Sequence, residues 1–337
     1  MARWKVGIVT PRKQSGIGYD VLTEAGCELV YGVSYDDFPG YRYSEEELVE
    51  RFGDVDGILV SGRDKLPRYF LERARNLRIV SKASIGVEKI DVQAATELGI
   101  VVTNAPVAEN YIAVAEGTIT LMLAILKRVR LLDRLTRAGK WKNVGIQPML
   151  LRGKTVGLIG FGRIGKAVAE RLRDWDVSIL VYDPYVPEEA VRSLGASLVS
   201  LETLLSASDI ISNHVVLTPE TRHLLNRERL KLLKPTAVVI NTSRGEVIEE
   251  QALIEALQSG SILAAGLDVF EQEPPSFDHP LFQMEQVIVT PHGISVAEET
   301  VLQSAITAAE ECLKGLKQEI PAYVVNPQVL ERWAKRG

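Results

Sequence analysis

The sequence predicts an α/β protein with two doubly wound parallel-sheet domains, and three observations support this prediction. At 337 residues the chain exceeds what one hydrophobic core usually serves. Short apolar runs rich in valine and isoleucine alternate with helical stretches along most of the chain, which is typical of buried parallel strands joined by helices. One long helical pattern, over residues 113–135, separates two such alternating regions and is expected to link the domains.

The first alternating region extends from Lys5 to Thr103. Strands are predicted in the runs KVGIVT, ELVYG, GILVS, LRIVSKA and GIVVTN. Helices are predicted between them at residues 19–25, 44–52, 67–74 and 91–98, and Ser44 with Glu47 predicts a capping box at the start of the second.

The second alternating region follows the long helical pattern. Strands are predicted in the runs TVGLI, VSILVY, ASLVS, DIISNHVV, AVVINTS, ILAAGLDVF and QVIVTP, with helices at 163–173, 201–206, 227–233 and 249–259. A last helix, over 297–317, is assigned to the first domain. The first domain is therefore predicted to comprise 1–104 and 291–337, with a second domain, 105–290, inserted into it.

Residues 154–183 have the pattern of one nucleotide-binding βαβ unit. An apolar strand ends in GFGRIG, in which Gly160 can make a tight turn and Gly162 lets the backbone approach a pyrophosphate. Gly165 allows the following helix to pack close to the strand, and the N-terminus of that helix would face the phosphates. The alternative is a purely structural glycine turn.

The second strand of this unit ends in Asp183, at close to the spacing of about 20 residues expected for a ribose-binding carboxylate. A carboxylate there accepts hydrogen bonds from both ribose hydroxyls and repels a 2′-phosphate. No arginine follows before Arg192. NAD is therefore predicted as the cofactor in preference to NADP, the alternative being a solvated carboxylate at a strand end.

The composition argues against several other classes of protein. A net charge of −5 gives no electrostatic basis for binding nucleic acid or an anionic membrane. The start MARWKVGIVT has no signal-peptide pattern, and the longest apolar run, Ile119 to Leu126, is too short to span a bilayer. Two cysteines and four histidines predict neither a disulfide framework nor a metal site. A cytoplasmic location is expected.

Three charged residues follow apolar strands, at the sheet edge where α/β proteins bind ligands. Arg244 could grip a 2-keto acid through a bidentate fork. His292 could give or take the proton that accompanies hydride transfer, and Glu273 could orient it and stabilise its charged form. The alternatives are a helix-capping arginine, a surface glutamate and a turn histidine.

Other polar residues are weaker candidates. His214 could line the site, although a hydrogen-bonded structural histidine is favoured, and His223 and His279 are expected to be solvated. Asp268 could bind the nicotinamide amide or cap a turn.

At these motifs the sequence resembles the D-isomer-specific 2-hydroxyacid dehydrogenase family. The resemblance covers nearly the whole chain and is carried by GLIGFGRIG, SDIISNHVVLTPETRHLLN, KPTAVVINTSRGEVIEEQALIEAL, LDVFEQEP and TPH. It implies a Rossmann NAD-binding domain inserted into a flavodoxin-like substrate domain, with Arg244, Glu273 and His292 as the catalytic set. It also suggests a homodimer formed through the 113–135 helix.

The resemblance further implies two groups of binding residues. Cofactor contacts would fall on the three glycines and on Arg163, Ile164, Asp183, Val215, Val216, Thr221, Thr242, Ser243 and Asp268. Substrate contacts would fall on the loop amides of Ile85 and Gly86, and on Arg63, where relatives with acidic substrates carry a basic residue.

Departures from the family pattern affect substrate and nicotinamide positioning. Gly293 precedes Ile294, where the family has an apolar residue and then a small one, and Val216 stands where proline is usual. Lys82 and Ser84 replace residues that are more often arginine and glycine. Lys82 and Arg63 suggest an acidic substrate, but solvated surface charges are the favoured alternative.

The function predicted is an NAD-dependent oxidoreductase that interconverts a small D-2-hydroxy acid and its 2-keto acid. The transfer is expected in a cleft between the domains, and the identity of the acid is left open. The alternative function is an NAD(H)-sensing scaffold, similar to corepressors of this fold, without significant turnover.

Overall fold

A computed structural model describes residues 4–142 and 145–333. Its backbone contacts divide the chain into two compact units. Unit 1 comprises Met1–Asn110 with Val296–Gly337, and unit 2 comprises Tyr111–Ser295. The divisions lie a few residues C-terminal to the expected ones at 104 and 290.

Unit 1 opens with a five-stranded sheet whose neighbouring strands are all parallel. Its strands are β1 (Lys5–Ile8), β2 (Glu28–Tyr31), β3 (Gly57–Val60), β4 (Ile79–Lys82) and β5 (Val101–Thr103). The helices between them are α1 (Asp20–Glu24), α2 (Glu45–Phe52), α3 (Arg68–Arg73) and α4 (Val92–Glu97). The strand order β2-β1-β3-β4-β5 is the flavodoxin-like order, which confirms the predicted fold of this unit.

Local sequence signals explain where several of these elements begin. The Ser44 hydroxyl accepts from the Glu47 amide at 3.2 Å, and the Glu47 carboxylate accepts from the Ser44 amide at 2.7 Å. This is the predicted capping box, and it satisfies two amides that α2 itself leaves unpaired. A 3₁₀ helix, Lys13–Tyr19, was not predicted.

Unit 2 contains a seven-stranded parallel sheet of order β12-β11-β10-β9-β6-β7-β8. Its strands are β6 (Thr155–Ile159), β7 (Ser178–Tyr182), β8 (Ser197–Leu198), β9 (Ile210–Asn213), β10 (Val238–Asn241), β11 (Ala264–Leu267) and β12 (Val287–Val289). Its helices are α5 (Ala108–Leu126, which starts in unit 1), α6 (Val129–Arg137), α7 (Arg163–Leu172), α8 (Glu188–Arg192), α9 (Leu201–Ala207), α10 (Arg227–Leu230) and α11 (Glu250–Gln258). Counted from β6, the order is the Rossmann order extended by one strand.

The single helix predicted over 113–135 is wrong in detail. Two helices, α5 and α6, occupy this region, and Arg128 between them has a left-handed backbone with φ of 54°. A left-handed residue cannot continue a right-handed helix, so the helix direction changes there. The helix α8 was also missed, because its five residues carry no long periodic pattern.

Helix α5 is one described helix that is long and apolar enough, by length and composition alone, to cross a membrane. Its side chains at Leu121, Met122 and Ile125 are buried in a cluster with Val156 and Leu158 of the unit 2 sheet. It is therefore a core helix of unit 2.

The chain returns to unit 1 through α12 (Glu298–Leu316) and ends the described part in α13 (Leu330–Trp333). Buried Ala305, Ala308 and Cys312 of α12 share a core cluster with Ile8 and Ile79 of the unit 1 sheet. The last long helix thus packs on the first sheet, as predicted.

Both sheets reverse their winding direction next to their first strand. In unit 2 this switch point lies between β6 and β9, and in unit 1 between β1 and β3. Open α/β sheets bind ligands outside the carboxyl ends of the strands at such points. The residues after β6 and β9 are Gly160 and His214, and the loop after β3 contains Arg63.

Candidate active site

The glycine-rich turn after β6 has the geometry of a phosphate-binding turn. Gly160 has φ of 93°, a left-handed conformation that glycine adopts without strain. A Cβ on Gly165 would lie 2.3 Å from the Gly160 carbonyl oxygen, so glycine is required for α7 to approach the turn. A Cβ on Gly162 would meet nothing within 4 Å. The backbone at Gly162, before Arg163 and Ile164, is therefore open to a ligand at the helix N-terminus.

The carboxylate of Asp183 lies beside this turn at the end of β7. It accepts hydrogen bonds from the Phe161 amide at 2.8 Å and from the Tyr185 amide at 2.9 Å. These two bonds hold the carboxylate next to the glycine turn and leave lone pairs on each oxygen. The position suits a ribose-binding carboxylate, which is the predicted role.

The segment after β9 forms the other side of the switch point. A Cβ on Gly160 would lie 2.8 Å from the His214 carbonyl carbon and 3.0 Å from a Val215 methyl carbon, so the two segments are in close contact. Val216 is 74% exposed. The Thr221 hydroxyl donates to the Val216 carbonyl at 2.6 Å, which closes the turn that follows.

The prediction of a hydrogen-bonded structural His214 is wrong. Both ring nitrogens are buried, and neither has a hydrogen-bond partner in the described residues. Burial lowers the pKa of His214 to about 4, so the ring is neutral near pH 7. Buried polar atoms are nearly always satisfied, so this ring is available to hydrogen-bond with a bound ligand.

The turn after β10 carries Thr242, Ser243 and Arg244. The Asn241 side chain organises it by accepting from the Ser243 amide at 3.2 Å and hydroxyl at 2.8 Å, and by donating to the Arg244 carbonyl at 2.9 Å. The Thr242 hydroxyl lies 2.9 Å from that of Thr118 on α5. This role of Asn241 was not predicted, although an asparagine two residues before a serine is a recognisable turn signal.

Asp268 holds the turn that carries His292. Its buried carboxylate accepts from the Thr290 hydroxyl at 2.6 Å, the Gly293 amide at 3.0 Å and the Ile294 amide at 3.2 Å. Its carbonyl accepts from the His292 amide at 2.7 Å. The turn-capping alternative for Asp268 therefore describes its contacts in this structure, and a nicotinamide contact stays a prediction.

The structure brings Glu273 and His292 together. The Nδ1 atom of His292 lies 2.6 Å from Oε2 of Glu273, while Oε1 of Glu273 accepts from the Phe270 amide at 3.3 Å. A histidine that donates Nδ1–H to a carboxylate is fixed in orientation and presents Nε2 for proton exchange. With a side chain 46% exposed, His292 is accessible to a substrate.

Arg244 is connected to the same segment through the backbone. A Cβ on the next residue, Gly245, would lie 1.9 Å from the carbonyl carbon of Phe270 and 2.4 Å from the Glu271 amide nitrogen. Only glycine allows this approach, which fixes the backbone that carries Arg244 against the backbone that leads to Glu273. The Arg244 guanidinium donates to the Ser243 carbonyl at 2.8 Å.

The predicted substrate residues lie in unit 1, in the loops after β3 and β4. Arg63 is stacked on Tyr35, with 4.5 Å between its guanidinium carbon and the ring centre, and its Nη1 atom is buried without a partner among the described residues. A Cβ on Gly62 would lie 3.8 Å from the Ser84 hydroxyl, so the two loops are neighbours. Within the described chain, the amides of Ile85 and Gly86 have no protein acceptor.

The prediction that Lys82 is a solvated surface charge is wrong. Its side chain is 1% exposed, and Nζ has no hydrogen-bond partner in the described part of unit 1. Burial lowers the pKa of Lys82 from 10.5 to about 8, and the nearby Asp64 carboxylate offsets part of that effect. Four buried residues in β4 show that this strand is covered on both faces, which places its last residue in the interior.

The prediction of a solvated side chain holds for His223 and is wrong for His279. His279 is 9% exposed, and its Nε2 lies 3.0 Å from the Glu250 carboxylate. His223 keeps 41% side-chain exposure, but its Nε2 lies 2.8 Å from the Glu271 carboxylate. Both histidines are therefore held by glutamates of unit 2.

The residues of unit 2 are consistent with a bound dinucleotide. The open backbone at Gly162, the carboxylate of Asp183 and the unpaired ring of His214 surround one switch point. No group of three or more metal-ligating side chains occurs within 4–142 and 145–333.

A doubly wound sheet with a glycine-rich turn defines a dinucleotide-binding α/β protein, and this one also carries a carboxylate-backed histidine. The sequence profile described as "D-isomer specific 2-hydroxyacid dehydrogenase, NAD binding domain" matches residues 119–293. The chain belongs to this family, which confirms the predicted resemblance and NAD as the cofactor.

Individual relatives agree with this assignment. The chain is 42% identical over 284 residues to a D-3-phosphoglycerate dehydrogenase of Methanocaldococcus jannaschii, covering 84% of this chain and 54% of that protein. It is 40% identical over 338 residues to a glyoxylate reductase of Thermofilum pendens, covering 98% and 97%. The crystal structure of the TT0316 protein of Thermus thermophilus superposes with a TM-score of 0.86 at 34% identity, covering 95% and 99%. The chain thus spans about half the length of the phosphoglycerate dehydrogenase and nearly all of the reductase.

Proposed function

We propose that this protein is an NAD-dependent dehydrogenase that interconverts a small D-2-hydroxy acid and its 2-keto acid. The observation that carries the proposal is the 2.6 Å contact between Glu273 and His292, on loops of the unit that contains the dinucleotide motif. The similarity to dehydrogenases and reductases of one family supports the same reaction class.

The cofactor would be held by the backbone of the glycine turn and by Asp183. Val215, Val216, Thr221, Thr242 and Ser243 follow the neighbouring strands and would line the rest of its site. When bound, the nicotinamide supplies hydride to a ketone or accepts it from an alcohol.

His292 would move the proton that accompanies this transfer. Because Glu273 faces Nδ1, the Nε2 atom is the one that gives a proton to the ketone oxygen or takes it from the alcohol. Reduction needs the imidazolium form and oxidation needs the neutral ring. The Glu273 carboxylate stabilises the imidazolium by direct charge pairing.

Arg244 would bind the reacting acid. A guanidinium offers paired N–H donors to a carboxylate and can also polarise the adjacent carbonyl. The Asn241 contacts and the close approach of Gly245 hold its backbone in place. The Ile85 and Gly86 amides would bind the substrate carboxylate.

We further propose that the substrate carries a second anionic group, which Lys82 and Arg63 bind. A buried amine and a buried guanidinium nitrogen without partners are costly unless a ligand pairs with them. Both lie at the carboxyl ends of neighbouring parallel strands in unit 1. A phosphorylated or dicarboxylic keto acid fits this pair of cations better than glyoxylate does.

The protein is also proposed to act as a cytoplasmic homodimer. Helix α6 has no buried side chain, and Val129, Trp141 and Leu150 in and after it are 53%, 76% and 64% exposed. Exposed apolar side chains of this size on one segment are typical of an interface with another chain.

The proposed activity is tested by measuring NADH consumption with 2-keto acids that do or do not carry a second anionic group. Turnover is expected, with the anionic substrates favoured. Replacement His292→Ala should lower kcat by on the order of 10²–10⁴-fold while leaving NADH binding intact. Wild-type turnover by this variant would remove His292 from the mechanism. Tight NADH binding without turnover of any keto acid would instead favour the scaffold alternative.

A further inference from the structure

The segment that carries Glu273 has no helix or strand of its own. It follows β11 as a series of bends between Glu271 and Pro274. The Glu273 carboxylate would be misplaced if these bends moved, so other residues must hold the segment.

Two glutamates join this segment to the start of α11. The Glu250 amide donates to the Glu271 carboxylate at 3.2 Å, and the Glu271 amide donates to the Glu250 carboxylate at 3.2 Å. Each side chain therefore binds the backbone of the other residue. Glu271 lies at the N-terminus of a nine-residue helix, where the helix dipole favours a negative charge.

Two histidines complete these contacts. Leu281 donates its amide to Nδ1 of His279 at 3.3 Å, so Nδ1 is the unprotonated nitrogen and Nε2–H donates to Glu250 at 3.0 Å. The His279 ring packs against Phe270 and Phe282, with centroids 5.5 and 5.4 Å away, and these two rings also contact each other. On the other side, Nε2 of His223 lies 2.8 Å from Glu271.

These four residues, His223, Glu271, Glu250 and His279, form what we call the glutamate clasp. The clasp meets the turn of Arg244 as well, because the His223 amide donates to the Glu246 carbonyl at 2.7 Å and Gly245 abuts Glu271. It thus connects the backbones that carry the proposed substrate anchor and the proposed histidine partner.

We infer that the glutamate clasp is a positioning device that sets the orientation of Glu273 toward His292. The inference rests on the proposed roles of those two residues. Glu273 touches His292 directly, whereas the clasp acts two residues away through the backbone, since charged hydrogen bonds of this kind fix a loop more tightly than neutral ones.

The test removes the clasp without removing its packing. His279→Phe keeps a ring packed against Phe270 and Phe282 but loses the donor to Glu250, and His279→Gln restores an N–H donor. Glu250→Ala removes the acceptor for both Glu271 and His279. The matched control is Glu255→Ala on the same helix, which removes an exposed ion pair with Arg227 and an exposed hydrogen bond from Gln251, neither of which is part of the clasp.

Two readouts are measured on the full chain with NADH. In His279→Phe and Glu250→Ala, kcat should fall roughly 10-fold or more because the carboxylate is misplaced, while the Kd for NADH stays unchanged. The low-field proton NMR resonance of the His292 Nδ1–H, which is bonded to Glu273 at 2.6 Å, should weaken or move upfield because that hydrogen bond is lengthened. The control and His279→Gln should resemble the wild type in both readouts.

The inference is overturned if folded His279→Phe has the kcat and the His292 proton resonance of the control. A lowered melting temperature with an unchanged resonance would overturn it too, since that is the result of a purely structural role. The NMR readout does not need turnover. If no keto acid is reduced by the wild type, the proposed function fails, and the change in the His292 resonance still decides the clasp.

Discussion

His292 has a left-handed backbone, with φ of 49°, that non-glycine residues rarely adopt. Such a conformation costs on the order of 1–3 kcal/mol and persists only where neighbouring contacts impose it. Here the buried Asp268 carboxylate binds the hydroxyl and amides on either side of the histidine. The strain therefore coincides with the position of the proposed proton carrier.

Replacement of Asp268 by alanine should destabilise unit 2 and impair catalysis. Its carboxylate accepts several buried hydrogen bonds, and unsatisfied buried donors cost about 1–3 kcal/mol each. We expect the free energy of unfolding to fall by roughly 3 kcal/mol in urea titrations. Asp268→Asn, which retains one acceptor oxygen, should lose less. Equal losses in both variants would contradict this account of the turn.

The burial of Lys82 predicts that the free energy of unfolding depends on pH. The pKa of Lys82 is about 8 in the folded chain and 10.5 ordinarily, so the unfolded chain binds this proton more tightly. The contribution of Lys82 to stability is therefore most unfavourable below pH 8, and it improves as the pH rises from 8 to 10.5. Lys82→Met should be more stable than the wild type at pH 7 by on the order of 3 kcal/mol, and the difference should vanish toward pH 10.5.

The same variant tests the proposed substrate class. Below pH 8 the charged amine is available to an anion, so Lys82→Met should raise the KM for phosphorylated keto acids and leave that for glyoxylate unchanged. Urea unfolding between pH 7 and 10 measures the stability difference, and steady-state kinetics with phosphorylated keto acids and with glyoxylate measure the two KM values. An unchanged KM for every anionic substrate would exclude Lys82 from binding.

At the residue scale, the sequence predicted which residues belong to the candidate site better than it predicted whether each side chain is buried. The strand–turn positions of Arg244, Glu273 and His292 were visible in the motifs, and the structure joins the last two. The burial of Lys82 and His279 was not predictable from the motifs, because lysine and histidine side chains are mostly solvated in proteins. These two side chains are buried because other elements pack on both sides of the segments that carry them.

At the scale of the elements, helix α5 and the loop after β12 are in close contact at Gly117 and Ile294. A Cβ on Gly117 would lie 2.1 Å from Cγ1 of Ile294. Ile294 is the residue that departs from the family pattern, and its bulk is accommodated because the facing helix carries glycine. Ile294, which is unusual for the family, and Gly117 opposite it therefore form a single contact.

Gly117→Ala should have opposite effects in two backgrounds. With Ile294 present, the added methyl group overpacks the contact and should destabilise the protein by about 1–3 kcal/mol. In an Ile294→Ala background the space is free, and alanine should stabilise the helix by up to about 1 kcal/mol because glycine is a poor helix former. A double-mutant cycle in urea measures the coupling, and the same sign in both backgrounds would refute it.

The helices and strands were predicted from the spacing of apolar residues along the sequence. Every predicted strand occurs, because valine- and isoleucine-rich runs bounded by turn residues have few alternative structures. The predicted helix over 113–135 was wrong because the apolar pattern gives no sign of Arg128, the left-handed residue that separates α5 from α6.

For the whole molecule, the dimer proposal places α6 and the residues after it in an interface. The double variant Val129→Glu and Trp141→Glu should sediment as a monomer where the wild type sediments as a dimer, because two buried charges would be left unpaired. Glu188→Lys on the exposed helix α8 is a control that should not change the mass. A monomeric wild type would contradict the proposal directly.

Parallel pairing in both sheets was within reach of the sequence, since strands alternate with helices in both regions. The glycine motif marks the first strand of a Rossmann unit and hence its switch point, whereas the flavodoxin-like order of the first sheet was implied only by the family resemblance. The insertion was inferred only from the position of the last helix, and the core of Ala305 and Cys312 with the first sheet agrees with it.

The contact between Gly117 and Ile294 joins the two ends of the inserted unit. Once unit 2 has folded, the two ends of its segment are held close together. The loop that joins β5 to α12 is then effectively much shorter than its number of residues. Closing a loop costs less entropy when the loop is shorter, at about 0.6 kcal/mol for each halving of its length. Assembly of the inserted unit thus lowers the cost of docking α12 onto the first sheet, and an order of folding is favoured by the connectivity itself.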